Sequence, residues 1–186
     1  MTVKTREDFP KLYDSMGLKV GAEVGVWHGD FSALILENSS VEVLHSIDPW
    51  TNADGDEMTT DYEEAKIRLS KFVGRSVIKK ASSLSASSEF KDGTLDFVFI
   101  DGDHRYEAVK ADIEAWFPKV RAGGVFSGHD YCSRGKALER AQTTKKFPDQ
   151  YKKGIIRAVD EFSDARGIKI MLTEERYYRS WWIVKE

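Results

Sequence analysis

Five ionisable side chains crowd two short stretches. Asp101, Asp103 and His104 lie in Ile100-Asp101-Gly102-Asp103-His104-Arg105-Tyr106, and His129 and Asp130 in Ser127-Gly128-His129-Asp130-Tyr131. Carboxylates this dense repel one another unless a proton or a cation sits between them. A helix cap accounts for one or two such residues, as Asp103 would before a helix starting near Arg105. It does not account for all five, so the group reads as a functional cluster. Upstream, Glu23-Val24-Gly25-Val26-Trp27-His28-Gly29-Asp30-Phe31-Ser32 places glycines at 25 and 29, which permit a tight turn and close approach of a ligand to the backbone. The free amides of a helix beginning there favour a carboxylate or phosphate. Asp48 follows Gly25 by 23 residues, close to the spacing at which an acid hydrogen-bonds the two hydroxyls of a ribose. Trp27 occupies the second glycine place of G-x-G-x-x-G, and no G-x-x-x-x-G-K-[ST] occurs, so neither common phosphate-binding pattern is present.

These residues act together only if the fold brings them together. Short apolar runs alternate with helical patterns. Strands are expected at 20–26, 43–47, 76–78, 95–100, 124–127, 168–172 and 180–184, and helices at 31–37, 62–72, 106–117 and 155–165. The serine-rich stretch at 82–88 reads as a polar loop followed by a short helix. Strands separated by helices pair in parallel through crossovers, with the sheet covered on both faces. About seven residues separate the last two strands, too few for a crossover of roughly a dozen, so those two pair antiparallel. The expected fold is α/β: a doubly wound, Rossmann-like, mostly parallel sheet with an antiparallel C-terminal edge hairpin, residues 1–186 forming a single domain. Ligands of such sheets bind beyond the carboxyl ends of the strands, where the strand order reverses. Gly25, Asp48 and the ionisable cluster all fall there.

The chain of 186 residues is 41% hydrophobic and 32% charged, so it is neither membrane-embedded nor disordered. Its 28 basic and 31 acidic residues leave a net charge of -3, which argues against a general nucleic-acid binder. The single cysteine, Cys132, makes no internal disulfide and suits a reducing, cytoplasmic setting. The first ten residues are polar and charged, so no signal peptide is expected to begin there, and no apolar run approaches the ~18 residues that span a bilayer.

Taken together these residues resemble the class I S-adenosylmethionine-dependent methyltransferases. The closest likeness is to a small group with the signature IDGDHxYExVxxDIxxWxPxxxxGGxxxGHDY, present here from Ile100 through Asp112-Ile113, Trp116, Pro118 and Gly123-Gly124 to Gly128-His129-Asp130-Tyr131. The resemblance implies that Glu23, Gly25, Trp27, Gly29, Phe31 and Ser32 hold the methionine part of the cofactor, and that Asp48 holds its ribose. It places Pro49 and Trp50 near the adenine, and Ser82 and Ser83 at the adenine edge. Asp101, His129 and Asp130 match positions where related sugar and antibiotic O-methyltransferases hold a divalent cation. Histidine at 129 departs from an all-oxygen ligand set. Magnesium prefers oxygen, whereas manganese, iron, nickel and zinc accept imidazole. Asp103 and His104 are then the candidates for general base.

That implies methyl transfer from S-adenosylmethionine to a small-molecule hydroxyl, assisted by Mg or Mn. A sulfonium methyl is already activated, so the protein must align a nucleophile and remove its proton. A bound cation lowers the pKa of a coordinated hydroxyl. The segment at 132–154 carries Arg134, Lys136, Arg140, Lys145, Lys146, Lys152 and Lys153 against Glu139 and Asp149, with a helix expected at 136–143. Beside the strand-end cluster it reads as a substrate lid suited to an anionic acceptor. Four alternatives stand: a metal-independent methyltransferase using Asp103 or His104 alone, a metal-dependent oxygenation enzyme with His104 and His129 in a facial triad, a nicotinamide-dependent reductase, whose glycine spacing does not match, and a non-catalytic binding module.

Overall fold

The computed structural model describes residues 2–51, 55–131 and 149–186, with side chains of the last stretch from residue 154 onward. A 3-10 turn, Arg6–Asp8, leads into α1, Phe9–Ser15. There follow β1 (Val20–Val24), α2 (Asp30–Asn38), β2 (Val43–Asp48), α3 (Thr59–Leu69), β3 (Ser76–Lys80), α4 (Ser83–Ser87), β4 (Leu95–Ile100), α5 (Tyr106–Trp116), β5 (Val120–Tyr131), α6 (Asp149–Arg166), β6 (Met171–Leu172) and β7 (Arg179–Val184). The strands form one sheet in the order β3-β2-β1-β4-β5-β7-β6. The first five run parallel, and β7 lies antiparallel to both β5 and β6. The doubly wound sheet with an antiparallel C-terminal hairpin is therefore as expected. Strand order reverses between β1 and β4, whose carboxyl ends open the ligand crevice of such folds.

The central strands are buried on both faces: successive side chains of a strand point to opposite sides, so a continuous apolar run such as Phe97-Val98-Phe99-Ile100 fills both. On β4, Phe97 and Phe99 join Phe9, Leu12, Tyr13, Phe31 and Ile35 on the side of α1 and α2. Val98 and Ile100 face the opposite side, with Val109, Ile113, Trp116, Val159 and Phe162 of α5 and α6. β7 repeats the alternation: Trp182 joins the first cluster, Trp181 and Ile183 the second. Gly21 on β1 leaves the space for a Tyr13–Phe97 stack with centroids 3.9 Å apart; a Cβ there would lie 2.2 Å from the Phe97 ring.

Three elements differ from the sequence pattern. α1 was not expected, yet Phe9, Leu12 and Tyr13 recur at helical spacing and all are buried. β5 continues well past 124–127, because β4 and β7 pair with it on either side. His129 and Asp130 therefore lie within a strand, at a register shift between Gly128 and Tyr131 where Asp130 adopts φ +57°. β6 shrinks to Met171–Leu172; Ile168 and Ile170 pack on the core without ladder partners. The expected lid and the helix at 136–143 lie outside the described residues, which resume with the backbone of α6.

Candidate active site

β1 ends in a turn that Gly25 makes necessary. Its φ is +91°, and a Cβ would lie 2.3 Å from the Asp101 carbonyl oxygen, so the loops after β1 and β4 touch backbone to backbone. Gly29, at φ +80°, starts α2. Asp48, at the end of β2, fixes the turn: Oδ2 accepts from the Val26 and Trp27 amides at 2.8 and 3.0 Å, and Oδ1 from the Trp50 amide at 2.6 Å. Trp50 is fully buried and its indole donates to the Trp27 carbonyl at 2.8 Å. Trp27 itself is 59% exposed at φ +50°, with its ring stacked on His28. Backbone strain of this kind clusters at active sites and ligand clamps.

Beneath the turn, Glu23 is 1% exposed. It accepts from the Ser32 hydroxyl, which shares a 2.6 Å hydrogen bond with Ser46. Burial pushes the Glu23 carboxyl up to about 8, against the opposing pull of Arg6 and Ser32. Arg6 reaches in from the N-terminal turn, 2.8 Å from Asp101 Oδ2 and 3.9 Å from Glu23. Its guanidinium lies 4.1 Å above the centre of the Phe31 ring.

The ionisable cluster comes together in part as expected and in part differently. Asp101, His104 and Asp130 each offer a ligand atom within 4.8 Å of the others. His104 Nε2 lies 3.3 Å from Asp130 Oδ2 and 3.8 Å from Asp101 Oδ1. His129 Nδ1 lies at the same two distances from Asp130 and Asp101. His104 thus stands among the ligand-type groups as well as His129. Burial works against charge on His104, but Asp101 and Asp130 outweigh it and hold its pKa above the usual imidazole value. Asp103 is turned to other work: it accepts from the Arg105 amide at 2.9 Å and Nε at 2.7 Å. Burial raises its pKa, yet this ion pair prevails and keeps it below the usual carboxylate range.

The residues from 22 to 131 match the family described as methyltransferase domain. The chain belongs to the methyltransferase-domain family. An uncharacterised protein of Acanthamoeba polyphaga mimivirus is 31% identical over 59% of this chain and 50% of its own length. The chain spans 13% and 50% of the lengths of the two curated relatives it matches. Among solved structures, the O-methyltransferase from Bacillus cereus in complex with S-adenosylhomocysteine superposes with a TM-score of 0.70 at 16% identity, covering 97% of this chain and 80% of that one. The O-methyltransferase TomG from Streptomyces achromogenes, in complex with S-adenosylmethionine, gives 0.65 at 15% identity over 97% and 79%. The fold is that of the class I methyltransferases, and the resemblance drawn from the sequence holds at the level of family.

In this methyltransferase domain the remaining expected positions take structural partners. Ser82 caps α4, accepting from the Ser85 amide at 3.4 Å. Ser83 donates to Asp112 and accepts from the Trp116 indole at 2.9 Å, tying α4 to α5. Burial raises Asp112 to about 6, against the pull of that Ser83 bond. Behind the cluster, α6 presses on the loop after β4: a Cβ at Gly154 would lie 2.3 Å from the His104 carbonyl oxygen. Tyr131 donates to Asp160 of the same helix at 2.7 Å. A cleft of about 270 Å³ between α5 and α6, bordered by Lys110, Glu114, Phe162 and Arg166, shares no residue with the site. Arg6 is the site residue that sequence reasoning missed. Its signal was the spacing Thr5-x-x-Asp8 before Phe9, a helix-start pattern; Asp8 accepts from the Thr5 amide at 3.2 Å.

Proposed function

We propose that this domain, read as a single unit, transfers the methyl group of S-adenosylmethionine to a hydroxyl of a small-molecule acceptor, with a divalent cation assisting. The observation that carries the reading is that Asp101, His104 and Asp130 gather beside the Gly25 turn, which touches the Asp101 backbone and is itself held by Asp48. The residues suit the cofactor. Gly25 admits no side chain, Arg6 puts a positive charge beside the turn, and Asp48 retains lone pairs beyond its three amide bonds. Glu23, Gly25, Trp27, Gly29, Phe31 and Ser32 would hold the methionine end, Asp48 the ribose, and Trp50, Ser82 and Ser83 the adenine side. When bound, S-adenosylmethionine supplies an electrophilic carbon: an O–C bond forms as the C–S bond breaks.

The donor set also suits a divalent cation that accepts oxygen and imidazole, manganese better than magnesium. Asp101, Asp130 and one of the two histidines, His104 or His129, would hold it. When bound it lowers the pKa of the acceptor hydroxyl. The histidine not engaged with the cation takes the hydroxyl proton. Asp103 is the alternative base, after release from Arg105. The acceptor is read as anionic, from the basic residues at 134–153 and from Arg179, which pairs with Tyr131 across β5 and β7. The setting is read as cytoplasmic; no helix among the described residues is long and apolar enough to cross a membrane. The test is calorimetric titration with S-adenosylhomocysteine and, separately, NADH, with and without manganese. Binding of the first alone supports the reading, and binding of NADH alone rejects it. A second reading, without a metal, rests on His104 lying between two carboxylates that can stabilise its protonated form. Full turnover after exhaustive EDTA treatment would select it.

A further inference from the structure

The Arg6 guanidinium is unusually placed. It is carried by a 3-10 turn that the rest of the chain fastens down: its own amide donates to Glu175 at 3.2 Å, and the Glu174 amide donates to the Lys4 carbonyl at 2.7 Å. Its side chain is about one quarter exposed, and Nη2 engages Asp101 Oδ2. The other oxygen of Asp101, Oδ1, is the one that faces His104 and His129. Asp101 therefore divides its two oxygens between the cation-ligand group and Arg6. No other lysine or arginine among the described residues lies within 4 Å of Asp101 or Glu23. Below, Phe31 and Phe99 hold the guanidinium by their ring faces, at 4.1 and 5.3 Å. Nε is buried and has no hydrogen-bond partner among the described residues. A buried N–H of a charged group is costly to leave unmet, so its persistence marks a place where a ligand acceptor belongs. The same guanidinium sits over Phe31, the second residue of α2, whose first-turn amides are themselves an anion site.

We propose that Arg6 receives the carboxylate of the amino-acid end of S-adenosylmethionine, while Asp101 faces the ammonium of that same end. The proposal rests on the cofactor reading above. That end is a zwitterion, with both charges on one carbon. The Arg6–Asp101 pair presents a plus and a minus 2.8 Å apart, so each half meets its opposite without any net change in the charge of the site. A guanidinium offers a planar fork that matches a carboxylate, which a lysine ammonium does not. An anionic group on the acceptor is the other source of such a carboxylate, and the test separates the two.

Calorimetry would compare S-adenosylhomocysteine with its decarboxylated analogue, which keeps the ammonium, on the wild-type protein and on Arg6→Met and Arg6→Lys. Arg6→Met is expected to weaken S-adenosylhomocysteine by roughly 10- to 100-fold, the usual effect of losing hydrogen bonds between charged groups. It should leave the decarboxylated analogue within about twofold, and Arg6→Lys should fall between. Equal weakening of both ligands would make Arg6 a prop for the loop and overturn the proposal. Unchanged binding of both would overturn it too, and would leave the acceptor as the source of the anion. Failure of the wild type to bind S-adenosylhomocysteine would instead overturn the cofactor reading itself. Should Arg6→Met fail to fold, judged by thermal unfolding, the carboxamide of S-adenosylhomocysteine decides on the wild type and Arg6→Lys. A carboxamide penalty that is the same in both proteins overturns the proposal, and one that shrinks in Arg6→Lys supports it.

Discussion

Asp103 and His104 are neighbours in the chain, yet their surroundings suit them to different tasks. Asp103 is ion-paired to Arg105, which holds its carboxylate low and makes it a weak base. His104 lies between Asp101 and Asp130, which hold its ring in place and stabilise the imidazolium formed when it takes a proton. Replacing His104 by alanine is therefore expected to lower turnover by about 10²–10⁴-fold, the usual contribution of general base catalysis. Asp103→Asn should cost far less, and S-adenosylhomocysteine affinity should stay nearly constant in both. Turnover with an accepted hydroxyl, together with calorimetry, checks this; the opposite ranking would return the role to Asp103. Manganese titrated into the wild type should bind weakly, and more weakly still to Asp101→Asn or Asp130→Asn. Identical heats from all three would remove the cation from these residues. Asp48→Ala should weaken S-adenosylhomocysteine by about 1–3 kcal/mol. It also strips three backbone amides of their acceptor, so its melting temperature should fall as well. The residue types at these positions were legible because ligand chemistry needs particular functional groups. The partners were not: nothing in the spacing Asp-x-Arg says that Arg105 rather than the crevice claims Asp103.

α5 carries a test of how the elements are joined. Asp112 is buried with Ser83 as its partner, and its pKa of about 6 lies above the unfolded value. A raised carboxylate pKa means that the protonated form favours folding. That contribution is present below about pH 4 and is lost as pH rises through 6. The cost above that range is about 3 kcal/mol, from a shift of about two units. Asp112→Asn keeps the acceptor for Ser83 and cannot ionise. Its denaturant-unfolding free energy should gain on the wild type between pH 4 and 7, and parallel curves across that range would refute the assignment. Gly154→Ala should destabilise by about 1–3 kcal/mol, since its Cβ drives α6 away from the loop bearing His104. At this scale the sequence was most readable where periodicity ran long, as in β4 and α5. It was least readable where tertiary pairing sets the limits. β5 owes its length to two flanking strands, and β6 is short where, among the described residues, β7 alone pairs with it. α1 escaped notice because its apolar residues sit among charges and find their partners on β4, as in the Phe9–Phe99 and Tyr13–Phe97 contacts.

Across the whole molecule, two apolar layers share one sheet, and adjacent residues on β7 serve opposite layers. Trp182→Ala should cost about 3–5 kcal/mol in the α1–α2 layer, read by denaturant unfolding. The tie between Arg6 and Glu175 joins residues 169 positions apart, and the Lys4–Glu174 bond lies beside it. Most pairings within the sheet are closed by shorter loops and can form earlier, because closing a long loop costs more entropy before any contact repays it. During synthesis, β1 through β5 emerge before residues 174 and 175. The turn that carries Arg6 then keeps its local bonds to Asp8 but lacks the two that tie it to residues 174 and 175. A chain that stops short of residue 174 would thus keep the five parallel strands without the strap on Arg6, so the turn that opens the fold is fixed by residues made long after it.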